Sequence, residues 1–159
     1  MKKLLLFLIL PVAILASCSK INNVVPFDNA KQAVIDNTTI QAYLTAHPQI
    51  NAIKDTTGVY YQVITQGTGD YASVNSTITV AYTGTLLNGS QFDASSNFAS
   101  ALKQLIPGWQ IGLPYLKAGG RILLIIPSRY GYGNQQAGSI PANSVLLFTI
   151  DLKAVSSVK

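Results

Sequence analysis

Four short segments rich in β-branched and aromatic residues constrain the fold of this chain more than any other feature of its sequence. They are 58–67 (GVYYQVITQG), 76–84 (STITVAYTG), 120–127 (GRILLIIP) and 144–152 (SVLLFTIDL). In 76–84 the side chains of Ile78, Val80 and Tyr82 fall on one face of a strand, because side chains alternate with a period of two. Four strands without a regular alternation of strand and helix predict an α+β fold with a mostly antiparallel sheet.

The segment between the second and third predicted strands holds the only tryptophan of the chain, Trp109. It follows Pro107 and Gly108 directly, and Pro114 lies five residues beyond it. Proline is tolerated in the first turn of a helix and disrupts its interior, so the segment predicts one short helix with the indole near its beginning. A helix of this length buries little surface, and we expect the sheet to fold around it.

The first residues are typical of an export signal. Met1-Lys2-Lys3 is cationic, and the apolar run 4–16 is shorter than a typical membrane-spanning helix of about 20 residues. Leu15-Ala16-Ser17-Cys18 resembles the bacterial lipobox, in which the signal is cut before the cysteine and this cysteine is acylated. The sequence therefore predicts a lipoprotein signal over 1–17 and lipidation of Cys18. A cleaved signal that ends near a chance cysteine and an uncleaved anchor helix are the alternatives.

A tether and a short helix are predicted between Cys18 and the first strand. The polar segment 18–35 suits a tether that lifts a folded domain off a lipid surface. Asp36 is predicted as the N-cap of a short helix within 36–57, in which Ile40, Tyr43 and Leu44 form an apolar stripe. We expect this stripe to dock on the domain that follows, over 58–155, and contact with a partner is the alternative.

Charge and cysteine content argue against several classes of function. Cys18 is the only cysteine, so no internal disulfide is expected. The formal net charge of +5 falls to +3 once Lys2 and Lys3 leave with the signal, and the chain has no cluster of Arg and Lys. Binding to nucleic acid is therefore not expected. The single histidine, His47, precedes Pro48 and is expected to lie at a solvated helix end rather than to bind a ligand.

Four motifs, in this order, resemble those of the FKBP-type peptidyl-prolyl cis-trans isomerases. They are 80–95 (VAYTGTLLNGSQFDAS), 105–109 (LIPGW), 119–133 (GGRILLIIPSRYGYG) and 140–152 (IPANSVLLFTIDL). The resemblance extends from about Gly58 to Leu152. It implies a five- or six-stranded antiparallel sheet wrapped around one short helix, and an isomerase that needs neither cofactor nor metal. The implied substrates are proline-containing unfolded or extended polypeptides, and the implied inhibitors are macrolide-type compounds.

The same resemblance implies a concave apolar site with Trp109 as the floor on which a proline ring lies. Asp93 and Tyr132 are the implied catalytic residues: Asp93 would orient the site through hydrogen bonds, and the Tyr132 hydroxyl would donate to a substrate carbonyl. The backbone N–H of Ile106 would be a further donor. The implied walls of the site are Tyr82, Phe92, Phe98, Leu105, Ile106, Ile140 and Phe148.

Two residues depart from the family pattern. Ser100 stands where an aromatic residue is common, two positions after Phe98, and Ser139 precedes Ile140 where many members have an aliphatic residue. Both changes are expected to thin the apolar rim and to lower activity and macrolide affinity. The leading hypothesis is a lipid-anchored isomerase of the bacterial cell envelope. The alternative is an FKBP-like chaperone or binding module with little turnover.

Overall fold

The structure is a computed structural model, and it describes residues 29–157. The predicted signal 1–17, Cys18 and the first part of the predicted tether lie outside the described residues. The described helices are α1 (Asn29–Ala46) and α2 (Pro107–Gly112), and the strands are β1 (Ile53–Lys54), β2 (Tyr60–Thr65), β3 (Ser76–Leu86), β4 (Gln91–Ala101), β5 (Gly120–Ile126) and β6 (Leu146–Ser157). Neither helix combines the length and the apolar composition that crossing a membrane requires.

The six strands form one antiparallel sheet in the spatial order β1-β2-β5-β6-β3-β4, which confirms the predicted α+β fold. Each of the four segments predicted as strands overlaps one: β2 and β5 lie within their segments, whereas β3 and β6 extend beyond them. β4 is not among them, because its residues, QFDASSNFASA, are mostly small or polar and have little β-propensity. It forms by pairing with residues 77–85 of β3.

The face of the sheet that carries α2 is called the inner face here. α2 approaches it closely at two glycines: a Cβ at Gly108 would lie 2.4 Å from Cγ2 of Ile126, and one at Gly112 would lie 2.5 Å from Cδ2 of Leu124. Glycine at both positions therefore lets a six-residue helix rest directly on β5. The buried strand residues of this face are Ile78, Val80, Ile122, Leu124, Ile126, Leu146, Phe148, Ile150 and Leu152.

The opposite, outer face carries α1, which confirms that the predicted helix docks on the domain. Ile40 is fully buried there. Tyr60 of β2 joins the helix through its hydroxyl, which accepts from Nε2 of Gln41 and donates to Oδ1 of Asn37, each at 2.8 Å. The buried apolar cluster of this face comprises Ile40, Tyr60, Ile125 and Val145, with Tyr43 and Leu44 packed against it.

The predicted beginning of this helix is wrong. α1 begins at Asn29, so residues 29–35, predicted as part of the tether, are helical, and Asp36 lies inside the helix instead of at its N-cap. The Asp36 carboxylate is buried and accepts hydrogen bonds from Ser128, which is 92 residues away in the sequence. A tertiary contact therefore takes the acceptor that would otherwise cap a helix locally.

Candidate active site

A cavity of about 220 Å³ opens on the inner face beside α2. Strands β3, β4 and β6, the segment that enters α2 and the loop after β5 all contribute side chains to it. The lining residues are Tyr82, Phe92, Asp93, Phe98, Leu105, Ile106, Trp109, Tyr132 and Phe148. The structure thus brings together nine of the ten residues that the sequence analysis assigns to the site, and it leaves out Ile140.

Aromatic rings form most of the wall through edge-to-face contacts. The ring of Trp109 lies 5.1 Å from that of Tyr82 and 5.2 Å from that of Phe148, with interplanar angles of 84° and 90°. Phe92 contacts Phe148 at 5.4 Å, and Phe98 contacts Tyr82 at 5.8 Å. Such pairs contribute about 0.5–1.5 kcal/mol each beyond their burial. The shape of the wall is therefore set by five rings that orient one another.

The segment that enters α2 holds Trp109 in place. Pro107 is the first residue of α2, a position at which its missing N–H removes no helical hydrogen bond. The N–H of Trp109 donates to the carbonyl of Ile106 at 3.0 Å, and Nε2 of Gln110 donates to the carbonyl of Leu105 at 2.7 Å. The indole is buried, and its Nε1 has no hydrogen-bond partner among residues 29–157. Packing, rather than a hydrogen bond from Nε1, therefore orients the ring.

Tyr82 and Asp93 form the hydrogen-bonded polar pair of the cavity. The Tyr82 hydroxyl donates to Oδ2 of Asp93 at 2.6 Å. Burial of Tyr82 and its hydrogen bond to the carboxylate both disfavour the phenolate, and they raise the pKa of Tyr82 to about 12. The hydroxyl therefore stays protonated at any physiological pH. Asp93 thus has, in Tyr82, a partner through which it can orient the site.

Tyr132 lies on the loop between β5 and β6 and is the polar residue of the cavity with a free hydroxyl. Its side chain is 41 % exposed. The Tyr132 hydroxyl has no hydrogen-bond partner within the described residues. Tyr132 therefore presents an uncommitted donor at the mouth of an apolar recess.

Ile140 is the one predicted wall residue that does not line the cavity. It is 5 % exposed, forms an isolated β-bridge with Ala137 and packs in the main hydrophobic core. In this structure Ile140 therefore belongs to the core cluster and not to the cavity lining. The two departures from the family pattern also lie outside the lining: Ser139 is exposed, and Ser100 is half-buried on β4.

Two residues that support the cavity were missed by sequence reasoning. Gln110 anchors the Leu105 carbonyl, and nothing in the sequence marks it. Gly84 lies behind two wall rings, since a Cβ there would be 2.6 Å from Cε2 of Phe92 and 2.7 Å from Cε1 of Phe148. The signal that could have found Gly84 is its place inside the motif 80–95.

His47 lies where the sequence predicts, just after the last residue of α1. Its ring stacks on Tyr43 at 4.0 Å, and its Nδ1 lies 2.8 Å from the Tyr43 carbonyl oxygen. In the part of the chain that the structure describes, no group of three or more His, Cys, Asp and Glu residues could hold a metal ion.

Comparisons with known proteins agree with this arrangement. A family profile described as FKBP-type peptidyl-prolyl cis-trans isomerase matches residues 69–153. The FKBP-type peptidyl-prolyl cis-trans isomerase FkpA of Aeromonas hydrophila is 37 % identical over 142 residues, which cover 86 % of this chain and 53 % of that protein. FkpA of Escherichia coli K12 is 40 % identical over 100 residues, which cover 60 % and 37 %. The chain thus spans about half the length, or less, of these curated relatives.

Solved structures show the same likeness. The crystal structure of FkpA from Escherichia coli matches with a TM-score of 0.71 and 33 % identity, over 81 % of this chain and 63 % of that chain. A peptidyl-prolyl cis-trans isomerase from Pseudomonas syringae pv. tomato matches with a TM-score of 0.68 and 28 % identity, over 79 % of this chain and 96 % of that chain. Fold, motifs and profile lead to one conclusion: the chain belongs to the FKBP-type peptidyl-prolyl cis-trans isomerase family.

Proposed function

We propose that this chain accelerates the cis-trans isomerisation of X-Pro bonds in unfolded or extended polypeptides. The observation that carries the proposal is the aromatic cavity of about 220 Å³ on the inner face. Trp109 lines this cavity in edge-to-face contact with Tyr82 and Phe148, and its indole is the proposed surface against which a pyrrolidine ring lies. Membership of the family supports the same reaction.

The reaction requires no covalent step on the enzyme. Amide resonance imposes a barrier of about 18–20 kcal/mol on rotation, and the twisted amide loses that resonance, so its carbonyl is less polar than that of either planar isomer. Apolar walls that exclude water therefore disfavour the planar amide, which water solvates more strongly. Preferential binding of the twisted geometry lowers the barrier without a nucleophile or a proton transfer.

Polar groups of the cavity hold the substrate chain in this scheme. The free hydroxyl of Tyr132 donates to a substrate carbonyl next to the proline. Asp93 accepts the Tyr82 hydroxyl at 2.6 Å and so fixes the orientation of one wall ring. The backbone N–H of Ile106, the residue before α2, supplies a second donor to the substrate. Macrolide-type inhibitors would compete with the peptide for the same recess.

An assay of the exchange between the cis and trans isomers of a proline-containing peptide, with the full chain as catalyst, tests the proposal. We expect the wild type to accelerate exchange and Tyr132→Phe to lower kcat/KM by about fivefold, the equivalent of one hydrogen bond, with an unchanged Tm. Tyr71→Phe is the matched control, because it removes the same atom from a 55 % exposed side chain outside the cavity. A wild type that binds the peptide without accelerating exchange would contradict the isomerase proposal and favour the binding module.

We further propose that the chain works at the bacterial cell envelope, at the outer membrane or the periplasmic face, and is anchored by lipid on Cys18. The support is the cationic start, the apolar run 4–16 and the lipobox-like 15–18. Metabolic labelling with a fatty-acid analogue is expected to mark the wild type and the control Ser19→Ala, which keeps the thiol, but not Cys18→Ala. Equal labelling of all three proteins would overturn the assignment.

A further inference from the structure

We propose that Asp36 on α1 is a positioning residue of the isomerase site, which acts through Ser128 on the loop that carries Tyr132. The inference rests on the function proposed above for Tyr132. It gives α1 a role in positioning the site, whereas the sequence predicts only that this helix follows a tether and docks on the domain.

The contact between Asp36 and Ser128 is buried and specific. Oδ2 of Asp36 accepts from the backbone N–H of Ser128 at 2.8 Å and from its Oγ at 2.7 Å, while Oδ1 accepts from Nε2 of Gln32 at 2.7 Å. Asp36 is 2 % exposed and Ser128 is 1 % exposed. Burying a carboxylate is costly unless its oxygens are hydrogen-bonded. Displacement of Ser128 would therefore leave a buried oxygen without partners, which opposes movement of the residue.

Ser128 begins a 3₁₀ turn, Ser128–Tyr130, that has no cap of its own. The residue before it is Pro127, whose side chain offers no acceptor for the free N–H groups at the beginning of the turn. Asp36 supplies that acceptor from a distant helix, so it does for this turn what an N-cap residue does locally. The beginning of the loop is consequently tied to α1.

The carbonyl of Ser128 transmits this anchoring to Tyr132. It accepts from the N–H of Gly131 at 2.9 Å and from the N–H of Gly133 at 2.8 Å, the residues on either side of Tyr132. The carbonyl of Gly133 in turn accepts from the N–H of Asn143 at 2.8 Å, near the other end of the loop. One residue, held by Asp36 through its N–H and hydroxyl, therefore holds both neighbours of Tyr132 through its carbonyl.

Helix α1 also lies beside the far end of the same loop. Asp36 and Ile35 line a shallow cavity together with Asn143 and Ser144. Both ends of the loop therefore lie against one surface of α1, whereas its middle, at Tyr132, reaches the inner face. A change at Asp36 is thus expected to displace the hydroxyl of Tyr132 relative to the aromatic wall.

Asp36→Asn and Ser128→Ala test the proposal in the full chain. Asp36→Asn keeps the shape of the side chain but replaces one acceptor oxygen by a donor, and Ser128→Ala removes one of the two hydrogen bonds. Since hydrogen bonds to charged groups are stronger than neutral ones, we expect kcat/KM to fall about five- to tenfold for Asp36→Asn and about two- to threefold for Ser128→Ala. Ile40→Val is the control, because it weakens the docking of the same helix but leaves the hydrogen bonds from Ser128 to Asp36 in place, and it should leave kcat/KM unchanged.

A double-mutant cycle separates positioning from general destabilisation. In a Tyr132→Phe background, Asp36→Asn should lower kcat/KM only about twofold or less, because its effect passes through the missing hydroxyl. Full additivity of the two substitutions would overturn the proposal. So would unchanged kcat/KM in both Asp36→Asn and Ser128→Ala. If Asp36→Asn does not fold, Ser128→Ala and its own cycle with Tyr132→Phe decide the matter.

Amide hydrogen exchange at Gly133 gives a readout that does not depend on activity. Loss of the Asp36 anchor should accelerate this exchange about tenfold, as expected when local opening becomes easier by about 1.4 kcal/mol, with no such change in Ile40→Val. If Tyr132→Phe lowers kcat/KM but Asp36→Asn changes neither kcat/KM nor this exchange, the positioning role alone is wrong. If the exchange accelerates but Tyr132→Phe keeps wild-type kcat/KM, the proposed role of Tyr132 is wrong, and the positioning role falls with it.

Discussion

Phe148 and Leu147 are neighbours on β6, yet Phe148 lines the cavity of the inner face and Leu147 packs towards α1 on the outer face. Leu124 and Ile125 on β5 are divided in the same way. Alternation of side chains along a strand accounts for the division. The two faces differ in their cover, since six-residue α2 leaves an aromatic recess open whereas eighteen-residue α1 covers the buried cluster around Ile40 and Tyr60. A short helix can thus leave room for a binding site beside it on the sheet.

The two faces also treat buried polar groups differently. On the inner face, Nε1 of Trp109 is buried without a hydrogen-bond partner among residues 29–157. On the outer face, both carboxylate oxygens of Asp36 are hydrogen-bonded. An unpaired donor costs about 1–3 kcal/mol. The unpaired Nε1 of Trp109 therefore costs stability on the inner face, whereas the hydrogen-bonded carboxylate of Asp36 carries no such cost on the outer face.

Trp109→Ala truncates a ring of the inner face and should have the largest effect on stability and on activity. Truncation of a buried large aromatic side chain costs about 3–5 kcal/mol, and peptide isomerisation should fall to the uncatalysed rate even where the variant remains folded. Unfolding must be followed by circular dichroism, since the substitution removes the only tryptophan. Wild-type kcat/KM in a folded variant would show that the recess is not the site.

Ile125→Ala attacks the outer face, where Ile125 is fully buried against the α1 side. We expect a loss of about 2–5 kcal/mol in the free energy of unfolding, with no change in kcat/KM per folded molecule. Denaturant unfolding measures the first quantity, and the peptide assay, run below the unfolding transition, measures the second. A matching fall in kcat/KM would mean that the faces are coupled beyond the contact of Asp36 with Ser128.

Ser100→Phe should add an aromatic ring to the inner face, beside Phe98. Ser100 lies two residues after Phe98 on β4. The pairing of this stretch with β3 has no register shift, so both side chains point to the same face of the sheet. An extra phenyl group against ligand contributes on the order of 1–2 kcal/mol before ordering costs. We expect a higher kcat/KM for peptides with a bulky residue before proline and little change when that residue is alanine. Equal values for both peptides in a variant with the wild-type Tm would show that residue 100 does not reach the substrate.

Tyr82→Phe gives the smallest expected effect, which is a change in how stability depends on pH in alkaline solution. The native pKa of Tyr82 is about 12 against an ordinary value of 10.0, so the native state binds more protons than the unfolded state between these two values. The stability from this group is complete below about pH 10 and is lost as the pH rises towards 12. Urea unfolding across this range should show a shallower decline for Tyr82→Phe than for the wild type, with Tyr71→Phe retaining the wild-type decline. Identical slopes in all three proteins would contradict the raised pKa.

The inner face could largely be predicted because its information is local. Period-two alternation places Val80 and Tyr82 on one face of β3, and the same rule places Phe148 on β6. Pro107-Gly108 places Trp109 near the beginning of a short helix. β4 could not be predicted in this way, because its small and polar residues carry no strand signal of their own. β4 forms because its backbone makes hydrogen bonds with β3, and these cannot be read from its own composition.

The alternation of apolar residues, the proline and glycine before Trp109 and the four motifs are properties of neighbouring residues. The sequence by itself therefore determined four of the six strands, the short helix and most of the aromatic wall. Only the tertiary structure decided the role of Asp36. An aspartate can cap its own helix or accept from a distant N–H, and the outcome depends on which donor the folded chain brings close. Here that donor is Ser128, whose backbone N lies 2.8 Å from Oδ2 of Asp36, and Asp36 lies inside a helix that begins at Asn29. Ile140 is the second such case, because only the folded chain shows that it packs in the core cluster.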